Sequence, residues 1–272
     1  MRLINLKEWL AAFFRGAREC IFPLVCAACQ KTFAEPRHIK ANEPTYDLRQ
    51  VLCPECCRRL SFIVSPLCSG CGIPFATDTG PDHLCGKCHK ESLSIIKIRS
   101  AMIYGNPVSS LVQALKYKSA TRFAPAMGRT LFQTFQQYWQ PGEIDVIIPI
   151  PLHRDRRRRR GYNQSDQLLR PWPKLLLNSR FKTHIPQIVY KAISRPIFTP
   201  PQTGLDRADR LQNLASAFSV LQPEIIKGKN ILLMDDVYTT GTTLNECGQE
   251  LLKNGARSIH ALTLARSLPG HT

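Results

Sequence analysis

Two adjacent carboxylates, Asp235 and Asp236, stand between an apolar run and a cluster of hydroxyls in Ile231-Leu-Leu-Met-Asp-Asp-Val-Tyr-Thr-Thr-Gly-Thr-Thr243. Four apolar residues read as a buried parallel strand, with the acidic pair at its C-terminal end. The turn Thr239, Thr240, Gly241, Thr242 and Thr243 then leads into an amphipathic stretch, Leu244 to Leu252. Backbone N–H groups and the positive end of a helix hold a phosphate well. Threonine hydroxyls add hydrogen bonds, and the two carboxylates are placed to accept from sugar hydroxyls or to reach Mg2+. The chemistry that this order of parts suits is the binding of a phosphorylated sugar.

A second chemistry belongs to cysteine. Eight of the eleven cysteines fall into four C-x-x-C pairs: Cys26/Cys29, Cys53/Cys56, Cys68/Cys71 and Cys85/Cys88. Each pair sets two thiolates on one tight knuckle, and two knuckles complete a tetrahedral zinc site. The economical reading joins the first two pairs around one zinc and the last two around another. The intervening gaps of 23 and 13 residues lie outside the common spacing of about 15–20. Cys57 is an alternative ligand to Cys56, and Cys20, His83 and His89 are bystanders that could substitute. Four thiolates leave no open coordination position, so both sites are expected to be structural. A ribbon of this size cannot build its own apolar core, so its folding should depend on metal.

The third cluster is cationic. Asp145-Val-Ile-Ile-Pro-Ile-Pro-Leu-His153 runs into Arg154-Asp-Arg-Arg-Arg-Arg-Arg160 and then Gly161-Tyr-Asn-Gln-Ser165. This reads as a strand, a basic loop, and a helix capped by Asn163. Arginine suits pyrophosphate because its planar fork meets two oxygens at once, and a nucleic-acid phosphate would serve as well. A Pro-rich loop, Pro200 to Asn213, carries Gln202, Thr203, Arg207, Arg210 and Asn213. Such a loop reads as a lid with donors for a phosphorylated ligand.

These residues need a frame. From Ser94 the chain alternates strand and helix signals: strands at 95–104, 145–150, 185–190, 217–220, 231–234 and 259–265, and helices at 108–117, 124–139, 163–170 and 244–254. Pro171 and Pro173 should end the helix that follows Asn163, which puts packing beyond it in question. Gly255 should stop the last helix. Alternation of this kind predicts an α/β fold, a parallel sheet with helices on both faces and ligands beyond the carboxyl ends of its strands. The expected organisation is an amphipathic N-terminal helix over 1–19, a Cys-rich double zinc ribbon over 20–92 and the α/β domain over 93–272.

Composition narrows the partners and the compartment. Lys and Arg number 37 against 20 Asp and Glu, a formal net charge of +17, which favours polyanions. Trp9 to Phe14 is a short apolar run with Arg15 and Arg18 behind it, unlike a signal peptide. No run reaches membrane-spanning length. Metal spacing of the cysteines, without a secretory signal, points to a reducing, cytoplasmic setting.

The acidic pair with its threonine turn resembles the loop of type I phosphoribosyltransferases that binds 5-phosphoribosyl-1-pyrophosphate (PRPP). The whole chain resembles the ComF competence family. That likeness is carried by the four Cys pairs, Leu115-Lys-Tyr-Lys118, Ile148-Pro-Ile-Pro-Leu-His153, Arg160-Gly-Tyr-Asn-Gln-Ser165, Pro201-Gln-Thr-Gly204 with Arg210 and Asn213, and the threonine turn. It implies a double zinc ribbon fused to a type I phosphoribosyltransferase-like domain. It implies Mg2+–PRPP at the sheet edge, with the pyrophosphate gripped by His153, Arg154 and Arg160. It also implies a role in natural transformation, handling incoming single-stranded DNA with a helicase and recombination proteins. Transfer of phosphoribose to a nucleobase-like acceptor, and a non-catalytic adaptor, are the alternatives.

Overall fold

The computed structural model describes residues 23–34, 48–77, 79–90, 94–117, 121–196 and 217–268. The expected helix over 1–19, Cys20, Lys118, and the lid with Gln202, Thr203, Arg207, Arg210 and Asn213 lie outside the described residues.

Five parallel strands form the central sheet: β3 (Lys97–Ile103), β4 (Val146–Pro149), β5 (Gln187–Ile188), β8 (Asn230–Tyr238) and β9 (Ser258–Arg266). Their order is β3-β9-β8-β4-β5. The central strands are apolar because both faces are covered. Along β8, side chains alternate between two layers. Ile231 and Leu233 join Cys247 and Leu251 of the helix Thr242–Lys253, whereas Leu232 and Met234 join the helices Val108–Tyr117 and Ala124–Tyr138. Among the described residues, two short antiparallel pairs complete the strands, β1 (Leu24–Val25) with β2 (Thr32–Phe33) and β6 (Ile193–Ser194) with β7 (Ser219–Val220).

The prolines after Asn163 break the helix without loosening the packing. The helix Gln164–Leu169 ends, and a new one, Trp172–Leu177, begins at once with proline in its first turn, where no intrahelical N–H is required. The Trp172 indole is fully buried, donates to the Gly128 carbonyl at 3.0 Å and meets Phe132 edge-on at 5.1 Å. A side chain at Gly128 would sit 2.2 Å from the Leu168 carbonyl; only glycine lets the two helices touch there.

The cysteine segment grows out of the sheet edge. Residues 61–63 run antiparallel to β3, with the Ile63 N–H on the Ala101 carbonyl and the Ile103 N–H on that of Ser61. Cys26, Leu48, Leu52, Cys53 and Cys56 share one apolar cluster with Met127, Leu131 and Phe135. The core that the ribbon cannot supply for itself therefore comes in part from the helix Ala124–Tyr138.

Candidate functional site

The strand carrying the acidic pair is longer than its apolar run. β8 continues through Asp235 and Asp236 to Tyr238, because Val237 and Tyr238 pair with Ala265 and Arg266 of β9. The carboxylates thus lie within the strand rather than after it, and alternation sends them to different layers. Asp236, 6% exposed, turns toward the helix Val108–Tyr117, where Lys116 Nζ lies 2.7 Å and 2.9 Å from its two oxygens. Asp235 accepts from Ser165 Oγ at 3.2 Å and from the Asp236 N–H at 2.8 Å. Burial, and then the neighbouring Asp236 charge, push the Asp235 carboxyl well above the usual range, while the Asp236 N–H, Lys116 and Ser165 pull it back.

Beyond Tyr238 the chain turns on Gly241, at φ +80°, into the helix Thr242–Lys253. The left-handed conformation favours glycine. A Cβ there would stand 2.7 Å from the Tyr238 hydroxyl and 2.9 Å from its ring. Thr240 and Thr242 hydroxyls are 2.9 Å apart, and Thr239, Thr240 and Thr242 are exposed. The first helical turn contains no carboxylate, so the positive end of the helix is not neutralised from within it.

The arginine run is a helix, Arg154–Arg160, not the loop its charge density suggested. Arginine is a good helix former, and both ends are capped. His153 Nδ1 accepts from the Asp155 N–H at 3.3 Å, and Gly161 closes the C-terminus at φ +78°. With Nδ1 accepting, the proton sits on Nε2, which donates to the Pro196 carbonyl at 3.2 Å. His153 is buried, and its ring nitrogens are engaged in holding backbone. Arg154, Arg157, Arg158 and Arg159 are exposed, and Arg160 lies over the ring of Tyr117 at 5.1 Å.

Four members of this edge escaped sequence reading. Lys116 and Tyr117 stand inside the Leu115-Lys-Tyr-Lys118 motif, and Ser165 closes the Arg160 to Ser165 motif; their motif membership was the available signal. The two motifs interlock, since the Tyr162 hydroxyl donates to the Leu115 carbonyl. Asp166 is the fourth. Burial raises its carboxyl to about 6, against the pull of Arg157 and of the Asn163 amide 2.9 Å away.

The cysteines form two groups, Cys26/Cys29/Cys53/Cys56 and Cys68/Cys71/Cys85/Cys88, with all ligand atoms of each within 4.8 Å of one another. Sulfur pairs stand 3.7 Å apart in the first (Cys29–Cys53) and 3.8 Å in the second (Cys71–Cys85). A tetrahedron of Zn–S bonds of about 2.3 Å puts its sulfurs about 3.8 Å apart, so the donor sets fit zinc. Cys57 points away, its thiol 3.7 Å from the Leu52 carbonyl, which leaves Cys56 in the group. His83 stacks on Phe75 at 4.1 Å and belongs to neither group. Burial raises the Cys26 and Cys68 thiols, yet backbone N–H groups, including those of Cys53 and Cys85, outweigh it and bring them down to about 7 and about 6. Among the described residues, no helix is long and apolar enough to cross a membrane.

Comparisons with known proteins agree with this layout. Residues 196–270 match the family model of the phosphoribosyl transferase domain. The chain is 33% identical over 223 residues to the DNA utilization protein YhgH of Salmonella typhimurium, covering 80% of this chain and 91% of that one. It is 31% identical to competence protein F of Haemophilus influenzae (79% and 96% covered) and 26% identical to competence protein ComFC of Bacillus subtilis (91% and 97% covered). With a parallel phosphoribosyltransferase-like sheet, two four-cysteine groups that suit zinc and relatives matched over nearly their whole length, the chain belongs to the ComF competence family.

Proposed function

We propose that the chain binds PRPP at the carboxyl edge of its sheet and serves the uptake and processing of single-stranded DNA during natural transformation. The observation that carries the reading is the segment Asp235 to Thr243: an acidic pair on a buried parallel strand, a glycine turn, and a helix start free of carboxylate. In this reading the 5-phosphate lies against the N–H groups and hydroxyls of Thr239 to Thr243. Asp235 faces the ribose hydroxyls, and Asp236 stands behind it with its charge offset by Lys116 so that a polyanion can approach. Mg2+ accompanies the pyrophosphate.

Arg154 and Arg160 draw the pyrophosphate, while His153 acts by holding the arginine helix in place. Gln202, Arg207 and Arg210 close over the ligand. The exposed arginines extend the same positive surface to a DNA backbone, and the names of the relatives suggest that duty. The eight knuckle cysteines hold structural zinc, and the helicase and recombination proteins of the competence machinery are the expected cytoplasmic partners. Turnover is a second reading. Asp166, which follows Ser165 and whose carboxyl burial raises to about 6, suits a proton acceptor for a nucleobase-like substrate.

Calorimetric titration of Mg2+–PRPP into the zinc-loaded protein tests the proposal. Saturable binding is expected, together with loss in Asp235→Asn. Labelled oligothymidylate should bind with a steep salt dependence that flattens when Arg157, Arg158 and Arg159 become Ser. Absence of PRPP binding would refute the ligand assignment and favour the adaptor. Pyrophosphate release with a panel of bases would establish turnover.

A further inference from the structure

The second cysteine knuckle is seated directly on the sheet. Arg99 of β3 donates to the carbonyls of Ser69, at 3.1 Å, and Gly70, at 3.4 Å. The Ile98 N–H bonds the Gly70 carbonyl at 2.8 Å. Gly72, at φ +71°, packs so close that a Cβ would lie 2.4 Å from the Ile98 carbonyl. The knuckle is thereby fixed in place by buried contacts.

From this seat one buried side chain reaches the threonine turn. Arg266, the last residue of β9 and 5% exposed, donates to the Cys71 carbonyl. Its guanidinium lies 4.7 Å from the centre of the Tyr238 ring, its register partner on β8. That ring is the surface against which Gly241 is pressed. Cys71, Arg266, Tyr238 and Gly241 thus form a continuous stack from a metal ligand's backbone to the floor of the turn. The first cysteine group has a different outlet: it shares apolar packing with the helix Ala124–Tyr138, and nearby Gln50 accepts from Arg129 at 3.1 Å.

We propose that Arg266 and Tyr238 are positioning residues that hold the turn Thr239–Thr243 in its phosphate-accepting shape, and that they take their own position from the metal-closed knuckle Cys68/Cys71. The inference rests on reading that turn as a phosphate cradle. The two cysteine groups then differ in duty. The second props the ligand loop, and the first stabilises the fold around it. Loss of metal from the second group slackens the loop directly.

The test uses the full zinc-loaded chain. Outer-shell partners that orient the ligands of a metal site typically cost about 10–100-fold in metal affinity or activity when changed, and the same order is expected of residues that orient a phosphate loop. Arg266→Met and Tyr238→Leu should therefore weaken Mg2+–PRPP binding at least about tenfold, with both metals retained by elemental analysis. Tyr238→Phe, which keeps the ring, should restore wild-type affinity. Cys88→Ser, which opens the second group, should match Arg266→Met, whereas Arg129→Ala should bind as the wild type does. Hydrogen exchange without ligand supplies an independent readout. Amides 239–243 should exchange faster in Arg266→Met, Tyr238→Leu and Cys88→Ser, with those of β4 unchanged. Tyr238→Leu keeps the question open to an answer if the arginine variant does not fold. PRPP binding by the wild type, with unaltered affinity and loop exchange in Tyr238→Leu and Cys88→Ser, would overturn the inference. Faster loop exchange in a protein that binds no PRPP would sustain the linkage and remove the cradle.

Discussion

Replacing Lys116 with methionine tests the logic of the acidic edge. The ammonium stands 2.7 Å and 2.9 Å from the Asp236 oxygens, with side-chain exposures of 25% and 8%. Methionine keeps most of the stem's apolar packing and removes the charge. Asp236 is then left buried beside Asp235, whose own carboxyl is already raised by burial and by that neighbour. Breaking a buried pair in this way costs about 3–5 kcal/mol. Because water reaches part of Lys116, the lower end, about 3 kcal/mol, is expected. For a chain of this size that corresponds to a fall in Tm of roughly 6–12 °C.

The pH dependence has a definite sign. Asp235 has a folded-state pKa above its unfolded value, raised by burial and then by Asp236, and Lys116→Met removes one of the groups that pull it back. The destabilisation is therefore full above the folded pKa and disappears as pH falls toward the unfolded one. Urea unfolding should show a larger loss at pH 8 than at pH 5.5. In the double variant Lys116→Met/Asp236→Asn the charge is gone along with its partner, and most of the loss should be recovered. A single variant within about 0.5 kcal/mol of wild type, the range of ordinary surface substitutions, would refute this account. So would a double variant no more stable than the single one.

Two further outcomes follow from the same structure. Gly241→Ala should be more harmful than Gly142→Ala, measured by thermal unfolding and by PRPP affinity. Both sites have positive φ, +80° and +88°, and so share a left-handed cost of about 1–2 kcal/mol, but only at Gly241 does a Cβ meet a ring, at 2.7–2.9 Å, whereas Gly142 has nothing within 4 Å. Equal losses would show that Tyr238 gives way freely. His260 is buried among Trp139, Ser258 and Lys97, and burial, then Lys97, lowers its pKa from 6.5 to about 4. Its folded pKa is depressed, so its contribution is present above the unfolded value and is lost as pH falls through the window between about 6.5 and about 4. The stability difference between wild type and His260→Gln should shrink by about 3 kcal/mol from pH 7.5 to pH 4.5, measured by urea unfolding; a constant difference would contradict a buried neutral imidazole.

What could be read without coordinates was local. The four knuckles followed from C-x-x-C spacing, while their pairing, economical in chain order but outside the common gap, needed the two groups that the fold assembles; the last helix and its Gly255 stop followed from period and turn chemistry. Helix Val108–Tyr117 follows from apolar positions three and four residues apart. What could not be read depended on distant partners. β8 runs on through Asp235 and Asp236 because β9 supplies hydrogen bonds some thirty residues later, and nothing at Val237 announces this. Lys116 lies 120 residues from Asp236, beyond any periodicity. The arginine helix was legible in principle, for its propensity and its His153 and Gly161 caps are all local, but a dense run of charge after a strand has the same composition as a basic loop. The Pro171 break was read correctly, whereas the burial of Trp172 against Gly128 required the crossing of two helices.

The ligand edge is built by sharing rather than by accumulation of charge. Two adjacent carboxylates on a buried strand repel each other and would repel a phosphate as well. Lys116 offsets one, Ser165 donates to the other, and the Asp236 N–H turns back onto Asp235. Each donor comes from an element already tied to its neighbour, for Arg160 rests on the exposed ring of Tyr117 and Tyr162 holds the Leu115 carbonyl. The helix Val108–Tyr117, the start of Gln164–Leu169 and the end of β8 are thus locked to one another before any ligand arrives. With the acidic pair balanced inside this frame, the exposed arginines of Arg154–Arg160 are left as the dominant field at the edge, and that field is positive. Removing Lys116 therefore does more than unbalance one ion pair: it adds an unpaired negative charge to the floor of the edge, against the positive field of the arginine helix.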